Sequence, residues 1–357
     1  MNVLFFQTDN LFSGMVLARD IHFYDTALNK MIELKKDSAL TEPIINSFKV
    51  SKIEGAYIDY IPDNIEITHT ISASLKNEAI FKIEQLANDY ANSPDGVQAS
   101  QIKAINETTA ALVNGISSDK NVLVNIFDLK KYDDYTYHHS LSVAVMALAI
   151  GMELGFDNKT LQELVLSGML HDIGKLNIPI EIINKPARLT PEEFNIVKAH
   201  PLNAGIHLLK KNFVSENTFK GIVGHHEKWD GTGYPNGISG ENIPIFARIL
   251  TVADVYDALT SQRPYRTPSP PTEAIEYIMG GSGTFFDVDI VKAFLRRIAP
   301  YPVGMKVKLS NGEIGTVVKN NIEQPLRPIV KVNGTPFVYD LYNDFKTMGI
   351  IITGVVS

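Results

Sequence analysis

The chain has no cysteine and a single tryptophan among 357 residues. The first absence excludes disulfides, thiolate metal ligands and a cysteine nucleophile, and it fits a reducing compartment. A basic excess is also missing: formal charge is −7, which argues against a broad surface for duplex nucleic acid and leaves phosphate recognition to a local cluster. No long apolar run exists either. The longest, Leu141 to Met152, is far short of the roughly 20 residues a membrane-spanning helix needs, and MNVLFFQTDN lacks the basic start of a signal peptide. These readings predict a cytoplasmic protein without membrane insertion. What is present is ordinary for a globular chain, 45% hydrophobic and 20% charged, with room for two or three domains. There is no internal repeat and no low-complexity segment.

The pattern along the chain predicts a mainly α protein in four parts. Residues 1–65 alternate short apolar runs with turns around a helix near Pro43 to Ile53, reading as a small α+β regulatory or interaction module. Residues 66–125 form a helical linker, with Ile80, Ile83, Leu86 and Tyr90 on one face, a break at Ser93 to Gly96, and Ile102, Ile105 and Leu112 on the next helix. Residues 126–300 are predicted to be a helical bundle. Residues 301–357 carry β-branched runs around a Ser-Asn-Gly turn, predicting a β-rich tail.

Five of the nine histidines fall in one ordered ladder: His139, His171 beside Asp172, His200, then His225 and His226, with Asp254 closing it. Imidazole nitrogens and carboxylate oxygens suit iron, manganese or zinc, and a carboxylate can bridge two ions where an imidazole cannot. Seven such groups exceed the needs of one ion, so the ladder points to a two-metal hydrolase. Neighbours on a regular helix diverge by about 100°, so His225 and His226 do not easily converge on one ion from a regular turn and could approach a two-metal cluster from different sides. The run HHEKWDGTGYP from His225 holds two glycines and a proline, giving a loop whose backbone can approach a ligand closely.

Taken in order, YTYHHS from Tyr135, HDIGK from His171, HP at His200, HHE at His225, GYP at Gly233 and ADVYDALTSQRPYR from Ala253 resemble the HD-GYP phosphodiesterases, a group within the HD domain superfamily. The resemblance covers about Asp133 to Ile298. Upstream, LFSGMVLARDI, SALTEPIINSF and GAYIDY resemble, less specifically, the small domain that often precedes such a unit.

The resemblance implies a helical HD-GYP bundle that hydrolyses cyclic di-GMP to linear pGpG by attack of a metal-bridging hydroxide, with onward cleavage to GMP left open. It implies that His139, His171, Asp172 and Asp254 hold one divalent ion, and that Asp172 bridges to a second held by His200, His225 and His226, iron or manganese in both places. Lys175, about one helical turn after Asp172, is expected to aid the leaving oxygen. Gly233, Tyr234 and Pro235 are expected to bind the nucleotide, with Arg263 and Arg266 as bidentate phosphate clamps. Asp230 and Asp257 could orient ligating imidazoles or serve ordinary loop and helix roles. His22, His69, His138 and His207 fall outside the pattern and read as structural or exposed. Some members hold a third ion through a glutamate whose place here is Tyr135, a poor ligand for a hard cation, so two ions are expected; Asp133 and Asp134 are close in sequence but differ in helical phase. Competing readings are a cyclic dinucleotide sensor with weak turnover and a phosphodiesterase for a hybrid cyclic dinucleotide. A homodimer and a signalling partner met through the N-terminal module complete the expectations.

Overall fold

The computed structural model describes residues 3–8, 11, 15–25, 28, 30–59, 70–117, 123–124, 135–183, 185, 187–261, 268–321, 323–335 and 337–356. They divide into two compact units, one comprising Met1–His69, Lys131–Asp134 and Ala299–Ser357, the other Thr70–Lys130 and Tyr135–Ile298. The fold is mainly helical, with a small N-terminal α+β part and a C-terminal antiparallel sheet, as the sequence pattern predicts.

In the first unit, β1 (Val3–Gln7) pairs antiparallel with β4 (Gly55–Asp59), and β2 (Ile21–Asp25) with β3 (Lys30–Leu34). Helix α1 (Glu42–Val50) has its proline in the first turn, where a missing N–H costs nothing. It buries Ile45 and Phe48 in a core with Leu17, Phe23, Leu40 and Ile58, and Phe48 meets the Phe23 ring edge-on at 5.0 Å. The C-terminal sheet runs β8-β7-β6-β5-β9, all neighbours antiparallel, from β5 (Lys306–Leu309), β6 (Ile314–Lys319), β7 (Ile329–Val332), β8 (Val338–Asp340) and β9 (Ile352–Val355). The Ser310-Asn311-Gly312 turn joins β5 to β6, with Gly312 at φ +87° and its N–H donating to the Leu309 carbonyl at 2.9 Å.

The second unit is a helical bundle. A hairpin of α2 (Ala73–Asn92) and α3 (Ala99–Ser117) turns at Pro94–Gly96, and the Ser72 hydroxyl caps α2. Its apolar faces, including Ile83, Leu86 and Tyr90 on one helix and Ile102, Ile105 and Leu112 on the other, are buried. They pack against α4 (Tyr135–Glu153) and α5 (Asn158–Leu170). Helix α4 is the centre of this unit. Leu141 and every residue from Val143 to Ile150 are fully buried, the signature of a helix surrounded on all sides.

Helices α6 (Ile180–Ile183), α7 (Pro191–Lys198), α8 (His200–Lys210), α9 (Glu216–Gly224), α10 (Ile245–Thr260), α11 (Pro271–Gly280) and α12 (Val288–Arg297) complete the unit, and α10 and α12 also pack on α4. A short 3₁₀ turn, Ile173–Asn177, follows α5 and lies against α8. Gly174 permits that approach, because a Cβ there would overlap the His200 carbonyl. One missing methyl thus brings Asp172 and His200 side by side. Among the described residues, no helix is long and apolar enough to cross a membrane.

Candidate metal centre

Five of the seven ladder residues sit where helices begin or stop. His171 follows the last turn of α5 and Asp172 opens the 3₁₀ turn. His200 is the first residue of α8, and His225 caps α9 with His226 just beyond. His139 lies in the second turn of α4, and Asp254 midway along α10. Helix ends suit this task, since their final carbonyls lack intrahelical donors.

Those carbonyls orient three of the rings in the same way. The Nδ1–H of His171 donates to the Gly168 carbonyl at 2.7 Å, that of His200 to Val197 at 2.7 Å, and that of His225 to Ile222 at 2.6 Å. Each acceptor lies three residues back. A carbonyl can only accept, so every Nδ1 carries the proton and every Nε2 presents a lone pair. The fourth ring, His139, donates Nδ1–H to Asp257 Oδ2 at 2.7 Å instead. Asp257 is buried one turn after Asp254 on α10, so of the two roles left open by sequence it takes the orienting one. Asp230 does not: its carboxylate accepts from the Thr232 N–H and hydroxyl within its own loop.

Asp172 stands at the centre. Its Oδ2 lies 3.5 Å from His171 Nε2 and 3.6 Å from His139 Nε2, while Oδ1 lies 3.2 Å from His200 Nε2 and 3.6 Å from His225 Nε2. One carboxylate therefore addresses two separate histidine pairs. Asp254 Oδ1 is 3.2 Å from His139 Nε2, and its Oδ2 3.9 Å from His226 Nδ1. Two donor groups result, Asp172 with His200, His225 and His226, and His139 with His171 and Asp254, the ligand atoms of each lying within 4.8 Å of one another. His225 and His226 fall in the same group, their rings 4.0 Å apart. The adjacent pair shares one group because α9 ends at Gly224, so no regular helical turn forces the two rings to diverge.

The donor chemistry fits divalent metal ions. The Nε2 atoms of His171, His200 and His225 are buried with no hydrogen-bond partner, a costly state for lone pairs unless a cation accepts them. Electrostatics favour the same protonation states. Burial lowers the His171 pKa to about 4, and burial likewise lowers those of His200 and His226. Burial would raise the carboxyls, but Lys175 and the imidazoles more than offset it at Asp172, as His139 does at Asp254, so both are held well below the usual carboxylate range. Neutral imidazoles and charged carboxylates are the forms that bind metal. Lys175 Nζ reaches Asp172 Oδ2 at 2.6 Å from one turn along.

The glycine-bearing loop closes over His226. A Cβ on Gly233 would overlap the backbone of His226, Glu227 and Lys228, so only glycine lets the chain fold back this tightly. Tyr234 N–H then donates to the His226 carbonyl at 3.2 Å, and its ring lies 4.7 Å from the His226 ring at an angle of 32°. The Tyr234–Pro235 peptide is cis. Burial raises the Tyr234 phenol well above its usual value, keeping it a neutral donor. Glu227, buried and not singled out by sequence, accepts the Asn236 N–H at 2.7 Å and shapes the loop from within. Thr251 on α10 donates to the His225 carbonyl at 2.9 Å. The HHE triplet could have drawn notice to Glu227; nothing local in sequence marks Thr251.

Arg263 and Arg266 lie outside the described residues, as do His69, Asp133 and Asp134. His22 pairs with Glu33 at 3.0 Å, His138 is buried, and His207 meets the Tyr90 ring edge-on at 5.8 Å. His22, His138 and His207 join neither donor group.

Residues 120–290 match the HD domain family. A Pseudomonas aeruginosa protein named cyclic di-GMP phosphodiesterase is 41% identical over 212 residues, 59% of this chain and 51% of the relative. A Vibrio cholerae protein of the same name is 31% identical over 315 residues, 82% of this chain and 63% of the relative. The chain spans about half the length of the curated relatives it matches first. Among solved structures, Bd1817, an HDG"Y"P protein from Bdellovibrio bacteriovorus, shares the fold at a TM-score of 0.52 with 19% identity, covering 82% of this chain and 98% of that one. The HDIGK, HP, HHE and GYP blocks lie in order within residues 120–290, the stretch that matches the HD domain family, and their histidines gather in space with Asp172 and Asp254.

Proposed function

We propose that this chain is a metal-dependent phosphodiesterase that hydrolyses cyclic di-GMP to linear pGpG. The observation that carries the reading is the single buried carboxylate of Asp172, whose two oxygens face different histidine pairs at 3.2 to 3.6 Å. In this reading His139, His171, Asp172 and Asp254 would hold one divalent ion, and His200, His225 and His226 a second that shares Asp172. The all nitrogen and oxygen donor set favours iron or manganese. When bound, two such ions lower the pKa of water and offset charge on phosphoryl oxygens.

Hydrolysis joins a water oxygen to phosphorus and releases a ribose 3′ oxygen, which must gain the proton that the water loses. Lys175 supports that transfer: its ammonium sits within 2.6 Å of Asp172, close enough to donate to an oxygen leaving beside the cluster. Gly233, Tyr234 and Pro235 form the nucleotide-binding loop, and Arg263 and Arg266 clamp phosphate oxygens. The shared name of the Pseudomonas and Vibrio relatives supports this substrate. Onward cleavage to GMP, a cytoplasmic location, a homodimer and signalling through residues 1–65 belong to the same proposal.

The decisive experiment loads purified protein with iron(II) or manganese, counts ions per chain, and follows cyclic di-GMP and 3′3′-cyclic GMP-AMP by chromatography. The expected result is two ions per chain and pGpG as the first product from cyclic di-GMP. No linear product under either metal sinks the enzymatic reading, and preference for the hybrid dinucleotide reassigns the substrate.

A further inference from the structure

Beyond the ligands, helix α7 carries aromatic and cationic groups that neither its fold nor the metal cluster explains. The helix is firmly set: Thr190 and Glu193 form a reciprocal capping box at its start, and Lys185 pairs with Glu193 at 2.6 Å. Yet Phe194, one residue on, leaves 42% of its surface in solvent. Its ring stands edge-on to Tyr234, 6.2 Å away, and Tyr234 in turn lies 4.7 Å from His226. A continuous aromatic wall therefore runs from the metal-ligand cluster outward to α7.

Lys198 lies over that wall. Its ammonium is 4.6 Å from the Phe194 ring centre and 5.9 Å from that of Tyr234. Three other lysines of this unit, Lys175, Lys185 and Lys211, each reach a carboxylate within 2.8 Å. Lys198, half-buried, has no carboxylate partner within 4 Å among the described residues. A partly desolvated cation on ring faces gains from cation–π attraction but gains more from an anion, and the wall ends at the place where a phosphate would be cleaved.

A cyclic dinucleotide has two phosphates and two bases, and only one phosphate can sit at the ligand cluster at a time. Resting on the function proposed above, we infer that Phe194 and Lys198 form the subsite for the uncleaved half of the substrate, the phenyl ring stacking on its base and the ammonium meeting its phosphate. Stacking on an aromatic side chain tolerates any base, so this subsite would tell dinucleotides from simple diesters without choosing between guanine and adenine. Choice of base would rest on other groups.

The test compares kcat/KM on cyclic di-GMP with kcat/KM on methyl p-nitrophenyl phosphate, a diester with neither a base nor a second phosphate, using manganese-loaded full chain. Phe194→Ala and Lys198→Ala should each lower the ratio of the two by about tenfold, through KM for the dinucleotide. Lys198→Arg and Phe194→Tyr should restore most of it, while Phe194→Leu, which keeps apolar bulk without a ring, should not. Manganese content per chain should match that of the unaltered protein. A ratio unchanged in both alanine variants overturns the subsite. An equal fall on both diesters with loss of manganese also overturns it, showing that α7 acts only by holding His200. If the unaltered protein cleaves the simple diester but no cyclic dinucleotide, the substrate assignment itself fails, and this inference with it.

Discussion

Two regions of the helical unit solve opposite problems. The floor of the site, His139, His171, Asp172, His200 and His225, is almost entirely withdrawn from solvent, and every imidazole there is pinned by an Nδ1 hydrogen bond of 2.6 to 2.7 Å. The rim, His226, Tyr234, Phe194 and Lys198, is half open and joined by ring contacts of 4.6 to 6.2 Å. Rigid, directional bonds define ligand geometry below; broad, weakly directional surfaces remain above, where a flat organic molecule can slide in. A floor built like the rim would not fix the geometry a metal ion needs, and a rim built like the floor would leave no open surface.

The sharpest way to break this contrast is Asp172→Ala. It removes the carboxylate that, among the described residues, faces both histidine pairs, and turnover should fall by at least about a thousandfold, with metal content dropping below that of the unaltered protein by elemental analysis. A smaller blow to the same floor comes from acid. His171 is held near pKa 4 when folded against 6.5 when exposed, so the unfolded chain takes up a proton first as pH falls. Stability of the metal-free protein should be constant above pH 6.5, decline between 6.5 and about 4, and lose about 3 kcal/mol from this residue alone. Urea unfolding at several pH values measures it; a flat profile over that window would contradict the buried, neutral ring.

Asp257→Asn tests the floor imidazole whose Nδ1–H donates to a carboxylate, His139. The amide can still accept from His139 but carries no charge to raise the ring's basicity, so metal affinity should fall about 10- to 100-fold in a competition titration with a chelator, while thermal stability changes little. On the rim side, Gly233→Ala forces the loop off the backbone of residues 226–228. It should cost about 1–3 kcal/mol and raise KM for the dinucleotide more than it lowers metal content. Trp229, the single tryptophan, lies in that loop with its backbone N–H donating to the Phe285 carbonyl at 3.1 Å, so its fluorescence reports the loop's displacement.

Much of this was legible in sequence, and the limits have physical causes. The three- and four-residue spacing of Ile83, Leu86 and Tyr90 shows a buried helix face, but only the structure says that the hairpin packs on α4 and α5; periodicity reveals that a face is covered, never by what. The ladder from His139 to Asp254 was visible because each ligand lies in a short block of recognisable residues, and the structure gathers all seven. That His225 and His226 share one donor group could not be read from helical phase, which stops applying one residue past a helix end. Asp257 stayed ambiguous, since an aspartate one turn after another reads equally as a solvated face. Phe194 and Lys198 left no sequence signal at all: an aromatic and a lysine four apart on a short amphipathic helix are commonplace until a loop some forty residues later is laid beside them.

One consequence of the ligand positions reaches past chemistry. The seven side chains come from segments spread between residues 139 and 254, so ions held there would staple distant stretches of a chain that has no cysteine to do so. By closing long loops of the unfolded ensemble, such staples make starvation for metal a threat to the fold as well as to turnover. Stripping the ions from a loaded sample should lower its melting temperature, as breaking a covalent cross-link would.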